Sequence, residues 1–211
     1  MTSGLSGKFL VFEGIDGSGK TTQSRAVARR LKASGLTVSS TFEPTDGPIG
    51  KLIRQMLSGE LPVDQRTIAS LFAADRTDHL VHPETGVKAL VDNGTTVVCD
   101  RYYFSSYAYH AQYIDMDWVI EANRLNADIL RPDATLFIDV EPDTCLQRIQ
   151  ARSERLDIYE KIDIMKQVRA NYFSAFHRLK DQETVIIVDG NAGPEDVADR
   201  VWDQVTRLLG L

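Results

Sequence analysis

The chain has 211 residues, of which 43% are hydrophobic and 26% are charged, and this composition predicts one globular domain spanning residues 1–211. Its formal net charge of −6 argues against a nucleic-acid partner, because nucleic-acid-binding domains are usually basic. The first residues lack the apolar centre of a signal peptide, and no apolar run approaches the ~20 residues of a membrane span, so we predict a cytoplasmic protein without a membrane partner.

Five short runs rich in apolar and β-branched residues predict strands. They are nearly continuous rather than alternating, which is typical of strands buried on both faces of a parallel sheet. The runs cover residues 8–13, 36–42, 95–100, 134–140 and 184–190.

Cys99 and Cys145 lie in apolar stretches outside any metal-ligand pattern, so we predict buried, reduced thiols.

Helical patterns fill the segments between these runs. The first places Val27 and Leu31 on one face and ends at Gly35, and a longer one is interrupted near Pro83 and ends at Gly94. This alternation predicts an α/β fold with a doubly wound parallel sheet. The predicted helices cover residues 21–35, 66–94, 117–126, 141–154 and 195–210, and another follows a Pro- and Gly-rich turn after residue 42.

The sequence FEGIDGSGKTT, at residues 12–22, contains the spacing of a phosphate-binding loop between a strand and a helix. In such a loop, backbone N–H groups and the helix amino terminus hold phosphate oxygens. We expect Lys20 to lie in a solvent-facing loop and reach the β- and γ-phosphates, and Thr21 to ligate Mg²⁺. The predicted ATP site comprises Gly14, Ile15, Asp16, Gly17, Ser18, Gly19, Lys20, Thr21 and Thr22.

Asp100 and Arg101 follow the third predicted strand. In doubly wound sheets, ligands bind beyond the carboxyl ends of the strands, so both residues should lie beside the phosphate loop. Asp100 could bind Mg²⁺ through a water molecule, and Arg101 could clamp a phosphate with two hydrogen bonds. The alternative for this pair is a surface ion pair.

Two further stretches are weaker signals for an acceptor site. Phe72 and Arg76 share one helical face, where an aromatic ring could stack on a base and an arginine could donate to a carbonyl oxygen. Glu43 and Arg54 lie in or near the turn after the second strand, at the same edge of the predicted sheet. Taken singly, Phe72 could be a plain core residue, and Glu43 and Arg54 could belong to an ordinary loop and a solvated helix.

Together these stretches resemble the thymidylate kinase family in order and spacing across nearly the whole chain. The phosphate loop is shared by many proteins, whereas FAADR at residues 72–76 and DRYYFSSYAY at residues 100–109 are far more specific. The resemblance implies a five-stranded parallel sheet with the P-loop nucleoside-monophosphate-kinase architecture. It also implies Mg²⁺-dependent transfer of the γ-phosphoryl group of ATP to dTMP, and a homodimer.

The same resemblance implies individual roles in the acceptor site. Phe72 would stack on thymine and Arg76 would bind its O4, while Tyr109 would crowd the 2′ position of the sugar. Asp16 would lie near the 3′-hydroxyl and the acceptor phosphate. The acceptor phosphate would be held by Arg101 and Arg54, and the pocket would be completed by Glu43, Ser105 and Ser106.

Some positions depart from the family pattern. Many members have arginine where this chain has Phe42, and glutamine where it has His110, which we still place in the acceptor site. The Gly-rich run that often follows is replaced here by AQYIDMDW, at residues 111–118. The rim of the acceptor pocket is therefore expected to differ.

A lid is predicted over about residues 148–160. Arg148, Arg152 and Arg155 are spaced by four and three residues, so they share one face if the helix continues that far. The middle of the phosphate loop has no arginine, so this chain resembles the bacterial type in which the lid supplies it. We expect Arg152 or Arg155, rather than Arg148, to act on the transferring phosphoryl group; the alternative is a solvated basic face.

Two other functions stay open from the residues alone. Another P-loop kinase, acting on deoxynucleosides or a different monophosphate, could use Glu13 or Asp16 as a base. A nucleotide switch or regulatory ATPase would share the phosphate loop, although a guanine switch would carry an N-K-x-D motif, which this sequence lacks.

Overall fold

The computed structural model describes residues 7–151 and 158–211, and for residues 158–161 it describes the backbone alone. A single parallel sheet of five strands runs through these residues in the order β2-β3-β1-β4-β5. The strands are β1 (Phe9–Glu13), β2 (Val38–Phe42), β3 (Thr96–Asp100), β4 (Ala134–Asp139) and β5 (Val185–Asp189). The predicted α/β class and parallel sheet are confirmed.

Ten helices flank this sheet within the described residues. They are α1 (Lys20–Ala33), α2 (Pro48–Leu57), α3 (Gln65–Val81), α4 (Val87–Asp92), α5 (Tyr103–His110), α6 (Met116–Ala122), α7 (Arg124–Ile129), α8 (Pro142–Gln150), α9 (Ile158–Leu179) and α10 (Pro194–Leu209). The predicted helix over residues 117–126 is two helices, which meet at Asn123. Two helices, α5 and α9, had no counterpart in the sequence analysis.

The core lies on both faces of the three central strands. Nearly every residue of β1, β3 and β4 is buried, whereas the edge strands β2 and β5 are only partly covered. Helix α5 packs against α9 on one side, and α1 packs against α10. Cys99 and Cys145 are both buried free thiols, as predicted.

The strand order places the ligand crevice. The connection from β1 leads to β2 beyond β3, and the connection from β3 leads to β4 on the other side of β1. The connections that leave β1 and β3 therefore run in opposite directions across the sheet. The boundary between these two strands is a switch point, which is where doubly wound sheets bind ligands. The phosphate loop follows β1 and the Asp100–Arg101 pair ends β3, so both lie at this crevice.

Candidate active site

The phosphate loop connects β1 to α1 in a conformation that requires glycine. Gly17 has φ of +82°, and a side chain there would approach the Cys145 carbonyl oxygen to 2.6 Å. Gly19, at φ of +91°, is the N-cap residue of α1. Left-handed backbone at both positions turns the loop around the amino terminus of α1, where unpaired N–H groups and the helix dipole favour phosphate.

Lys20 is the first residue of α1 and its side chain is buried, not solvent-facing as expected from the sequence. Its ammonium lies 3.6 Å from the Asp16 carboxylate. Burial, together with the positive charge of Arg101, lowers the pKa of Lys20 to about 8 against the opposing effect of Asp16. A desolvated lysine of this kind gains most from an anionic partner, such as the terminal phosphates of a nucleotide.

Thr21 and Asp100 are hydrogen-bonded to each other across the crevice, with the Thr21 hydroxyl donating to one carboxylate oxygen. The other oxygen of Asp100 is buried and has no partner among the described residues. The described part of the chain holds no cluster of three or more His, Cys, Asp or Glu side chains arranged for a metal. This sparse oxygen pair fits Mg²⁺, which keeps several waters and takes its remaining ligands from phosphates.

Arg101 links the phosphate loop to the neighbouring cavity. It has a left-handed backbone with φ of +71°, and its N–H donates to the Phe12 carbonyl at 2.9 Å. Its guanidinium donates to Asp16 and, at 3.0 Å, to the Ser105 hydroxyl, and it lies 5.0 Å from the centre of the Tyr109 ring. A strained residue held by several partners is typical of a functional position.

Asp16 forms the other half of this link. Burial alone would raise the pKa of Asp16, but the charges of Arg101 and Lys20 hold it below its ordinary value. Asp16 is therefore an ionised partner of two cations and a poor general base.

Glu13, at the end of β1, is fully buried and accepts four hydrogen bonds. The donors are the backbone N–H groups of Tyr102 and Ser105, at 2.9 and 3.0 Å, and the hydroxyls of Ser105 and Tyr172, at 2.6 and 2.9 Å. Tyr102 is the N-cap residue of α5 and has no side-chain cap of its own, so Glu13 caps this helix from another element. With these partners, Glu13 is not placed to serve as the base of a nucleoside kinase.

A cavity of about 460 Å³ opens beside Asp16 and Arg101. It is within the usual size range of small-molecule sites. Nine residues predicted for the acceptor site or for catalysis line it together: Asp16, Glu43, Phe72, Arg76, Arg101, Ser105, Ser106, Tyr109 and His110. Further lining residues that the sequence analysis did not assign include Leu57, Gln65, Ile68, Gln112, Tyr113 and Ile164.

Arg76 and Glu43 form a buried ion pair at this cavity, with 2.7 Å between Nε and Oε2 and almost no solvent exposure on either side chain. The second oxygen of Glu43 lies 3.0 Å from Nδ1 of His79. Since both oxygens of Glu43 have protein partners, its evident effect is to hold Arg76 charged and in place.

Phe72 and His110 face each other across the cavity lining, with ring centroids 5.1 Å apart and planes inclined by 59°. Burial, and then the nearby charge of Arg76, lowers the pKa of His110 to about 4. The imidazole is therefore neutral near pH 7, and it offers one donor and one acceptor nitrogen.

The sequence is similar to those of known proteins along most of its length. The family model described as thymidylate kinase matches residues 12–201, which is most of the chain. This chain belongs to the thymidylate kinase family.

Several named relatives agree along nearly their whole length. A protein of Pyrococcus horikoshii named probable thymidylate kinase is 35% identical over 98% of this chain and 100% of its own length. The probable thymidylate kinase of Methanocaldococcus jannaschii is 38% identical over 86% of each chain. The protein named thymidylate kinase in Thermomicrobium roseum is 36% identical over 95% of each chain.

Arg54 was predicted for the acceptor site of this thymidylate kinase, but it does not line the cavity. Its guanidinium donates to the carbonyl oxygens of Pro44 and Thr45, at 2.9 and 2.7 Å, and to the Asp46 carboxylate at 3.0 Å. These contacts make Arg54 a support of the loop after β2, and its contact with the acceptor phosphate stays a prediction.

The lid predicted from the family resemblance is only partly described. Arg148, on α8, donates to the backbone carbonyls of Ser18, Gly190 and Ala192 at 3.0–3.4 Å and so ties α8 to the phosphate loop. Arg152 and Arg155 lie outside the described residues.

No helix within the described ranges is both long and apolar enough to cross a membrane.

Proposed function

We propose that this protein transfers the γ-phosphoryl group of ATP to dTMP, giving dTDP and ADP. One observation carries the proposal: the Asp16–Arg101 contact joins a phosphate loop to a cavity that holds an aromatic ring and a buried arginine. A donor cradle and a nucleotide-sized acceptor site therefore share one wall, as a kinase for a nucleoside monophosphate needs.

The donor would bind along the loop from Gly14 to Thr22. A small cleft of about 90 Å³ lies beside it, lined in part by Gly19, Arg148, Gly190 and Pro194. We assign the nucleoside of ATP to this cleft because residues of the phosphate loop line it and none of its lining residues lines the acceptor cavity. Thr21 and Asp100 would hold Mg²⁺, which when bound neutralises charge on the β- and γ-phosphates.

The acceptor phosphate is itself the nucleophile, so the reaction needs positioning rather than a strong base. Its oxygen forms a bond to the γ-phosphorus while the bond from that phosphorus to the β-phosphate oxygen breaks and ADP leaves. Arg101 would draw the two anions together, and Lys20 would stabilise the charge that moves onto the equatorial and leaving oxygens. The paired carboxylate Asp16 would orient both cations.

The pyrimidine would lie at the Phe72 end of the cavity. Phe72 provides a face for stacking, and Arg76 can donate to a carbonyl oxygen such as O4 but cannot accept from an amino group. Tyr109, fixed beside Arg101, would face the sugar and disfavour a 2′-hydroxyl. Ser105, Ser106 and His110 complete this wall.

The remaining features of the proposal come from the sequence and the family resemblance. They are a single kinase domain over residues 1–211 with a lid at about 148–160, a lid arginine of the bacterial type, a dependence on Mg²⁺, a homodimer and a cytoplasmic location. Each stays a prediction.

The test is an acceptor panel with purified protein, ATP and Mg²⁺, comparing dTMP, dCMP and thymidine by coupled ADP release and product chromatography. We expect dTMP to exceed dCMP in kcat/KM by a factor on the order of 10⁴, because the 4-amino group would leave a buried donor unpaired. Comparable values for dCMP would refute the role of Arg76. Preference for thymidine would favour the nucleoside kinase, and turnover only with an added protein would favour the switch.

A further inference from the structure

Arg76 is held in place on almost every side. Its Nε donates to Glu43 at 2.7 Å, and its Nη1 donates to the Ser106 hydroxyl at 3.3 Å and to the side-chain oxygen of Asn123. The ring of Tyr102 faces the guanidinium at 5.2 Å. These contacts fix both the plane and the rotation of the group.

Only Nη2 of this guanidinium lacks an acceptor within residues 7–151 and 158–211, and Arg76 lines the acceptor cavity. The packing thus leaves one nitrogen of Arg76 for a ligand. A donor at one fixed point distinguishes a carbonyl oxygen from an amino group, provided that the guanidinium cannot pivot away.

Asn123 is placed to prevent that pivot. It is fully buried at the junction of α6 and α7 and is not part of the cavity lining. Its amide nitrogen donates to the Val119 carbonyl at 2.9 Å, which orients the amide so that its oxygen faces Arg76. Without this acceptor, one N–H of Nη1 would be buried and unpaired, and the guanidinium would turn about its bond to Glu43.

We infer that Asn123 is a positioning residue that acts through Arg76 to set the preference for a pyrimidine with an oxygen at position 4. The inference rests on the proposed function and extends it to a residue outside the acceptor cavity. Specificity is then a property of the buried side chains around Arg76, and the contact with Asn123 keeps Nη2 directed at the ligand.

The chain offers a matched control in Asn126. It is equally buried, its amide oxygen accepts from the Thr77 hydroxyl at 2.8 Å, and its amide nitrogen donates to the Ala73 carbonyl at 3.1 Å. It therefore joins α7 to the same helix, α3, on either side of Arg76 without touching the guanidinium. Asn126→Ala removes comparable structural contacts and leaves the Arg76 contacts in place.

The experiment measures kcat/KM for dTMP, dCMP and the monophosphate of 5-methylpyrimidin-2-one deoxyriboside, which lacks the 4-oxygen. In Asn123→Leu, which replaces the amide with an apolar group of similar size, we expect the dTMP/dCMP ratio to fall at least tenfold. The analogue should change less than threefold, because it makes no contact with Nη2. Asn126→Ala should lower the thermal midpoint while keeping the dTMP/dCMP ratio within threefold of wild type.

An unchanged ratio in Asn123→Leu, or an equal fall in Asn126→Ala, would overturn the inference. If the leucine variant does not fold, Asn123→Ala removes the acceptor for Arg76 without added bulk, and it should lower the dTMP/dCMP ratio at least tenfold; a ratio within threefold of wild type there counts against the inference. Wild-type protein that fails to phosphorylate dTMP would instead refute the proposed function.

Discussion

Acidification should destabilise this protein through His110. This side chain is only 7% exposed, and burial and the nearby Arg76 lower its pKa to about 4. In the unfolded chain, histidine titrates near pH 6.5. Between these two values the unfolded state binds a proton that the folded state excludes, so the free energy of unfolding falls as the pH falls through this window.

The size of the effect follows from the two pKa values. At pH 5.0, the difference between a folded pKa of about 4 and an unfolded pKa of about 6.5 amounts to about 2 kcal/mol of lost stability, and the limit below pH 4 is about 3 kcal/mol. Since domains of this kind are stable by about 5–15 kcal/mol, the loss at pH 5.0 is large enough to measure.

The assay is urea unfolding followed by circular dichroism at pH 7.5 and pH 5.0, for wild type, His110→Gln and His110→Phe. Neither replacement binds a proton in this range, so the wild type should lose about 2 kcal/mol more than each variant between the two pH values. Other titrating groups contribute equally to all three proteins and cancel in the comparison.

Equal losses in all three proteins would show that His110 does not titrate differently in the folded and unfolded states. That result would contradict the buried, neutral imidazole described for the acceptor cavity. A wild type that loses less than the variants would reverse the sign and place a carboxylate partner beside the ring.

Other residues give further predictions. Lys20→Ala should lower kcat by about 10³-fold without lowering the thermal midpoint, because burial already disfavours the charge of this lysine; a near-normal kcat would refute its role. Arg152→Ala or Arg155→Ala should lower kcat by about 10³–10⁵-fold with little change in the dTMP dissociation constant, and the lid prediction is wrong if both variants and the double variant stay within tenfold. Glu13→Gln should raise the KM for dTMP on the order of tenfold and leave that for ATP unchanged, since Glu13 caps the helix that lines the acceptor cavity; equal changes would contradict this.

The strands were predictable because burial on both faces leaves a plain mark in the sequence. Each of the five apolar runs became a strand with ends within two residues of the prediction. The breaks near Pro83 and at Gly35 were also found, since proline and glycine disrupt helices through local backbone geometry.

Helix α5 was harder to predict for a physical reason. Its sequence, YFSSYAYH, has no polar face and few strong helix formers, because it is almost wholly buried against α9. The group that caps it, Glu13, lies 89 residues before Tyr102 in the chain. Helix α9 is different: Met165, Val168, Tyr172, Ala175 and Leu179 are buried at helical spacing, a pattern that the sequence contains.

The site residues also divide into those marked by local sequence motifs and those whose environment depends on contacts between distant elements. Motif positions such as Lys20, Phe72 and Arg76 were predicted, and the structure brings them to one crevice. The burial of Lys20 and the role of Asn123 depend on tertiary packing between distant elements. No local spacing in the sequence encodes such contacts.

The strand order also constrains how the protein can be made. Leu10 of β1 pairs with Val98 of β3 on one side and with Ala134 of β4 on the other. The phosphate loop, although encoded within the first 22 residues, is thus flanked by a strand whose partners leave the ribosome much later. At roughly 5–20 residues per second, β1 would wait several seconds with both edges unpaired. A nascent chain should therefore acquire nucleotide affinity only after β4 and α8 have emerged, and until then both edges of β1 stay open to incorrect pairing.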